Sequence, residues 1–436
     1  MQVDKGPELW RTAKKIIPGG NHLLSKRPEL FLLEGWPAYF DRAHGVEVWD
    51  LDGNRFIDMT IMGVGTCILG YADPDVNQAV KESIDKSTIS TLNSPEEVEL
   101  AELLLNINRW ADMVRYGKTG AEGMSIAVRI ARAYSGKEKV AFCGYHGWQD
   151  WYLAANLADS RQLDGHLLPG LEPRGVPRSL QGTAIPFAYN DIAVLKEITQ
   201  DPEVGTVVLE PIRHEDPEPE FLQQVNEICR KKGLVLVVDE ITSGFRMNLG
   251  GAFTEYELDP DLAVFGKALS NGFALSAVVG RGEVMSAAQD SFISSTYWTE
   301  RTGCVAALAT LKKMAAKNVS SHLIELGTRI SQGWIDLAKK HGLEIEVAGI
   351  PPLTTYFFAD PDARALHTLF TREMLARGYL ASKSVYVSWA HTKDIVDEYL
   401  DNVDEVFSFI KEKKEGNQVL EELEGKVAHA GFHRLN

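Results

Sequence analysis

Val235-Leu236-Val237-Val238-Asp239-Glu240 and, after a short interval, Leu262-Ala263-Val264-Phe265-Gly266-Lys267 are the two stretches on which the reading of this chain turns. Four consecutive apolar residues, three of them β-branched, predict a strand buried on both faces. The acidic pair at its C-terminal end points carboxylates into the crevice where open α/β sheets hold their ligands. The second stretch predicts another short strand that delivers a lysine. If the two strands are parallel neighbours, an acid and an amine meet at one rim. Such a pair suits pyridoxal 5'-phosphate (PLP), where a lysine amine forms a Schiff base with the aldehyde and a carboxylate keeps the pyridine nitrogen protonated. Either residue alone is ordinary, because most lysines and aspartates at strand ends are simply solvated. Their weight comes from the rest of the chain.

With 436 residues and 44% hydrophobic content, the chain can bury a large core and divide into more than one lobe. A formal charge of −16 argues against general binding to nucleic acid or anionic membranes. No apolar run reaches transmembrane length and the first residues lack a signal-peptide pattern, so the expected location is the cytosol. Cys67, Cys143, Cys229 and Cys304 are widely spaced, which indicates neither a zinc site nor a disulfide framework, and no metal is expected.

Working outward, Gly45–Asp50 and Arg55–Met59 alternate apolar and polar residues around Asp52-Gly53-Asn54, the pattern of a hairpin. A helix is expected at Pro7–Ile17, with helices at Pro74–Ser87 and Pro95–Leu105. A strand at Met113–Tyr116 runs into Thr119-Gly120-Ala121-Glu122-Gly123 and then a helix over Met124–Tyr134. Small residues between a strand and a helix start leave backbone N–H groups free for a phosphate, although such turns also serve tight packing. Val140–Cys143 delivers Gly144-Tyr145-His146-Gly147 to the same rim, where an aromatic flanked by glycines can stack on a flat ring. Val204–Leu209 ends in Glu210-Pro211. Beyond Lys267 come a strand at Ala277–Gly280, the hydroxyl-rich Ser294–Arg301, a helix near Cys304–Lys317, and a smaller lobe with strands at Glu344–Val347 and Thr354–Phe358.

This ordered set (Gly120-Ala121-Glu122, Tyr145-His146-Gly147, Glu210-Pro211, Asp239-Glu240 with Ser243-Gly244-Phe245-Arg246, then Gly266-Lys267) resembles the class III aminotransferases of PLP fold type I, and within them the glutamate-1-semialdehyde aminomutase branch. The resemblance implies an α/β fold: a large domain, 61–318, with a mostly parallel central sheet and helices on both faces, and a smaller α+β domain, 319–436, to which the arm and hairpin of 1–60 belong. It implies that Lys267 is the Schiff-base lysine and proton shuttle, that Asp239 pairs with the pyridinium nitrogen, and that Tyr145 and Ile241 pack on the two ring faces. His146 lies in the same site. The Gly120 and Ala121 amides would hold the phosphate, and Thr296 would reach the cofactor phosphate of a neighbouring subunit in a homodimer. Glu122, Glu210 and Arg246 support the site from behind.

Two departures bear on the substrate. Ile212-Arg213-His214-Glu215-Asp216 stands where the aminomutases carry a Gly-Asn stretch, and Ala268-Leu269-Ser270-Asn271-Gly272 replaces a glycine triplet. The carboxylate-reading arginine of that branch falls on Lys26 or Arg27. The expected activity is therefore transfer of an amino group from an amino acid, L-glutamate first, to an aldehyde or ketone of a polar, sugar-derived or phosphorylated metabolite, with Lys26, Arg27 and His214 as substrate-binding candidates. The rival reading is an intramolecular aminomutase. A non-catalytic binding protein fits poorly beside an intact Lys267, Asp239 and Tyr145, and a dinucleotide-binding dehydrogenase lacks its GxGxxG.

Overall fold

A computed structural model describes residues 3–166, 170–212 and 216–431. The chain forms two units, Pro74–Ser320 and a second that joins Met1–Asp73 to Ser321–Asn436. In the first, seven strands form one sheet in the order Met113–Gly117, Ser276–Gly280, Leu262–Phe265, Val235–Asp239, Val204–Leu209, Lys139–Cys143, Ala184–Pro186. Ser276–Gly280 runs antiparallel to both its neighbours. The remaining pairings are parallel. Every residue of Val204–Leu209, Val235–Asp239 and Leu262–Phe265 is buried, the condition under which strands read as continuous apolar runs. Burying each of these Val and Leu side chains contributes about 1.5–3 kcal/mol, so the sheet centre is a rigid base for whatever its strand ends carry.

Register aligns those ends. Cys143 lies opposite Leu209, Leu209 opposite Val238, and Val238 opposite Ala263. Gly144, Glu210 and Asp239 each come one residue later, so all three emerge side by side at the same edge.

The helix that crosses this sheet begins earlier than its apolar periodicity indicates, at Gly120 rather than Met124, and runs to Ser135. Thr119 and Glu122 form a capping box: Thr119 Oγ1 accepts from the Glu122 amide at 3.2 Å, and Glu122 Oε2 accepts from the Thr119 amide at 2.8 Å. Reciprocal capping overrides the poor helix propensity of Gly120. Gly123 lies against the sheet, where a Cβ would stand 2.8 Å from Val264 Cγ1.

In the second unit, Glu47–Asp50 and Arg55–Met59 form the expected antiparallel hairpin. Asp50 Oδ1 accepts from the Asp52 and Asn54 amides across its turn. Phe40–His44 extends it on one side and Tyr379–Ala381 on the other. A second sheet pairs Ile345–Ala348, Leu353–Phe358 and Ser384–Tyr386, accompanied by the Ala363–Ala376 and Lys393–Glu415 helices. Among the described residues no helix is long and apolar enough to cross a membrane.

Candidate active site

Asp239 closes its strand with its side chain almost entirely out of water, 2% exposed. Its Oδ1 accepts from the Ile241 amide at 3.0 Å and its Oδ2 lies 2.8 Å from His146 Nδ1. His146, equally buried, places its other nitrogen 3.0 Å from the Cys143 carbonyl. A carbonyl only accepts, so Nε2 carries a proton. The Nδ1 contact then holds one further proton, either on the imidazole or on the carboxyl. Both arrangements have the same proton count. They bind the two side chains into one unit, whose imidazole is also walled by Trp151 stacked at 6.3 Å.

Lys267 follows the adjacent strand after one residue. Its backbone is left-handed, φ 41°, a conformation that disfavours a non-glycine residue by about 1–3 kcal/mol and is found where function over-determines it. The half-buried side chain donates from Nζ to Thr242 Oγ1 at 2.8 Å. Thr242 lies three residues beyond Asp239. The acid, the hydroxyl and the amine therefore belong to two adjacent strand ends. Thr242 was not singled out from the sequence, and the signal available was a hydroxyl in Asp-Glu-Ile-Thr-Ser on the turn that leaves the central strand.

That turn is fixed from below by Glu240, which is fully buried. Oε2 accepts from the Ser243 hydroxyl at 2.7 Å and Oε1 from the Phe253 amide at 2.7 Å. Burial raises its pKa from 4.5 to about 7, against the lowering effect of these bonds and with the nearby Asp239 charge adding to the rise. The folded protein thus holds this proton more tightly than the unfolded chain. The stabilising contribution is complete below pH 4.5 and is lost as pH rises through about 7, an effect on the order of 3 kcal/mol. Glu240→Gln keeps a neutral side chain of the same shape. Its urea midpoint is expected to fall less than that of the parent between pH 5 and pH 8, and parallel pH profiles for the two proteins would reject the assignment.

Tyr145 and Ile241 are half-buried and pack on the core of this unit. Glu210 sets Tyr145 in place, because its Oε2 accepts from the Tyr145 amide at 3.0 Å. Gly144 makes that possible: its φ is 109°, and a Cβ there would stand 2.7 Å from Glu210 Oε2. At the helix start, a Cβ on Gly120 would stand 2.8 Å from Ile241 Cδ1. The first turn of the helix and the turn after Asp239 are therefore in close approach, which brings the N–H groups of Gly120 and Ala121 to the same rim as Asp239 and Lys267. Glu122 is occupied by the cap and by Trp298, whose indole N–H donates to Oε1 at 3.3 Å. Trp298 belongs to the Thr296–Thr299 turn, and Thr296 itself is exposed. Arg246 is 1% exposed and donates from Nε to the Thr242 carbonyl at 2.6 Å.

The residues brought together in Pro74–Ser320 are therefore Gly120, Ala121, Tyr145, His146, Glu210, Asp239, Ile241 and Lys267. Lys26 and Arg27 belong to the other unit, the first exposed and the second half-buried. Arg213 and His214 lie outside the described residues.

The arrangement fits PLP on its own chemistry. A buried carboxylate tied to a histidine would suit a ring nitrogen, an amine held by a hydroxyl would suit an aldehyde, and a capped helix start would offer backbone N–H groups to a phosphate. Comparison with known proteins agrees. The model of the family described as aminotransferase class-III matches residues 34–378. A glutamate-1-semialdehyde 2,1-aminomutase of Desulforamulus reducens is 32% identical over 420 residues, 90% of this chain and 95% of that protein. A 3-aminobutyryl-CoA aminotransferase of Cloacimonas acidaminovorans is 29% identical over 425 residues, 92% and 98% of the two chains. Among solved structures, the FumI protein of a Sphingopyxis species in its PLP internal aldimine form superposes with a TM-score of 0.86 at 27% identity, covering 96% of this chain and 99% of that one.

Proposed function

Since the chain belongs to the class III aminotransferase family and is a PLP-dependent enzyme, we propose that it moves an amino group from L-glutamate to the aldehyde or ketone of a polar metabolite, sugar-derived or phosphorylated, in the cytosol. The observation that carries the site assignment is the pairing of a buried Asp239–His146 unit with Lys267 at the ends of adjacent parallel strands.

When bound, PLP supplies an aldehyde that condenses with amines and a protonated ring that accepts the electron pair left when a substrate C–H bond breaks. Asp239 accepts the hydrogen bond of the ring N–H, and His146 keeps that carboxylate oriented and balanced in charge at a place where water does not compete. Lys267 Nζ would be the amine that holds the aldehyde, and once free it would be the base placed to move a proton at the substrate. Thr242 Oγ1 takes one N–H of that amine and leaves its lone pair directed elsewhere. The Gly120 and Ala121 amides bind the phosphate, while Tyr145 and Ile241 enclose the ring.

The homodimer belongs to the same proposal. Thr296 stands among the exposed Phe292, 84% accessible, and Tyr297, 70% accessible, a surface suited to cover by a second copy, where Thr296 would meet the partner's phosphate.

Adding L-glutamate alone to the PLP-loaded protein should release 2-oxoglutarate in an amount equal to the active sites, with loss of the visible absorbance. Without release from properly loaded protein, glutamate is not the donor. The aminomutase reading, favoured by the similarity to the Desulforamulus protein, would then be tested by screening single amino-aldehydes for isomerisation.

A further inference from the structure

Behind the wall that Trp151 gives to His146, a groove of about 500 Å³ lies between the Gly120–Ser135 helix and the Trp148–Trp151 segment. Ser125, Val128, Arg129 and Arg132 line it from the helix, and Trp148, Gln149, Asp150 and Trp151 from the other side. Three of its polar atoms lack partners. Ser125 Oγ, Gln149 Oε1 and Trp151 Nε1 are all buried and make no hydrogen bond. Trp151 is only 8% exposed as a residue, and an indole N–H can only donate. A buried polar group without a partner is disfavoured, and Ser125 Oγ and Trp151 Nε1 can both donate, so a ligand that accepts hydrogen bonds suits the groove.

The two guanidiniums point the same way. Each makes one hydrogen bond to a backbone carbonyl, Arg129 to Phe292 at 3.0 Å and Arg132 to Glu138 at 2.8 Å. Those bonds leave most of the five N–H donors of each side chain unused. Neither is paired with a carboxylate among the described residues. Burial lowers the pKa of Arg132, with Glu138 the one charge that raises it. Asp150 is the single carboxylate on the lining, and it is exposed. In a chain of net charge −16, two such arginines beside unpaired Ser and Trp donors make a local donor-rich pocket.

We propose that this groove binds an oxyanion, the phosphate or carboxylate group of a small metabolite, between Arg132, Arg129, Ser125 Oγ and Trp151 Nε1, with the amide of Gln149 turned to donate. The exposed Trp148 ring, 70% accessible, covers the apolar part of the same molecule. This site is separate from the cofactor phosphate, which the Gly120 and Ala121 amides would hold at the start of the helix. Arg129 and Arg132 lie on its third and fourth turns.

The test is calorimetric titration of the PLP-loaded protein, whose cofactor cradle is filled, with inorganic phosphate and separately with succinate at matched ionic strength. Saturable binding of either is expected, and the preferred one tells a phosphate ligand from a carboxylate. Arg132→Gln and Ser125→Ala should each weaken it about tenfold, the value of one charge-assisted or buried hydrogen bond. Arg129→Gln changes an exposed residue and should weaken it too if the other two variants fail to fold. The cofactor's visible spectrum in each variant shows that the catalytic site is intact, so loss of anion binding with the spectrum retained is specific to the groove. Absence of saturable binding, as when a second copy of the chain covers the groove, overturns the proposal. So does binding that the variants leave unchanged.

Discussion

Lys267→Ala is expected to abolish the visible absorbance of the PLP-loaded protein and to slow amino transfer by roughly 10³-fold or more, because one substitution removes both the amine that holds the aldehyde and the base that moves the proton. The backbone argues that this loss is chemical and not a failure to fold. Lys267 takes φ 41°, and alanine meets the same steric penalty there as lysine, so the strain is unchanged. The side chain is half-buried and makes its bond to Thr242 Oγ1 at 2.8 Å. Truncation therefore frees the partly exposed Thr242 hydroxyl and leaves the Leu262–Phe265 strand intact. The thermal midpoint should stay within a few degrees of the parent. PLP should still bind through the remaining contacts, with the spectrum of the free aldehyde. If the absorbance of a lysine-bound cofactor persists in the variant, another lysine holds PLP and the assignment fails.

The two strands that carry Asp239 and Lys267 could be read from sequence because burial on both faces forces an uninterrupted apolar run, and such a run is visible without knowing its neighbours. Leu262–Phe265 begins and ends in the structure where its apolar run does, and Val204–Leu209 keeps its expected bounds although Gly205 and Thr206 interrupt its apolar residues. Phe40–His44 was not legible, since all its residues but Ala43 are exposed and no alternation marks it. Nor was Tyr379–Ala381, three residues whose parallel partner is Arg55–Met59, more than three hundred positions away. The start of the Gly120–Ser135 helix was hidden for a different reason: Gly120 and Gly123 depress propensity, while the Thr119-x-x-Glu122 cap that outweighs them is short and was read as part of a turn. At the site, residue types that PLP chemistry would use could be proposed from family resemblance. The contacts that position them could not. Thr242 reaches Lys267 only because two strand ends are neighbours, and Glu240 reaches the Phe253 amide across a turn of thirteen residues. Both are products of tertiary packing, for which local sequence carries no signal.

The role of Asp239 turns on magnitude. Removing an oriented hydrogen bond alone typically costs about 1 kcal/mol, less than tenfold in rate. Removing a full negative charge near a cationic ring nitrogen costs at most about 4 kcal/mol at 4 Å and an effective dielectric of 20, close to 10³-fold, and the His146 proton that balances Asp239 offsets part of it. Asp239→Asn separates the two, since it keeps the size of the side chain, the acceptor for the Ile241 amide and a partner for His146 Nδ1 while discarding the charge. The burial of Asp239 and of His146, 2% and 1% exposed, means that no water can substitute for it. Asp239→Asn should therefore lower kcat by more than tenfold and by up to about 10³-fold with PLP still bound and its absorbance altered, whereas Asp239→Ala should in addition loosen the Tyr145-His146 segment and weaken PLP binding, because His146 Nδ1 loses its partner. A fall of only tenfold in Asp239→Asn would mean that the carboxylate serves as a hydrogen-bond acceptor and that its charge carries no large share of the rate.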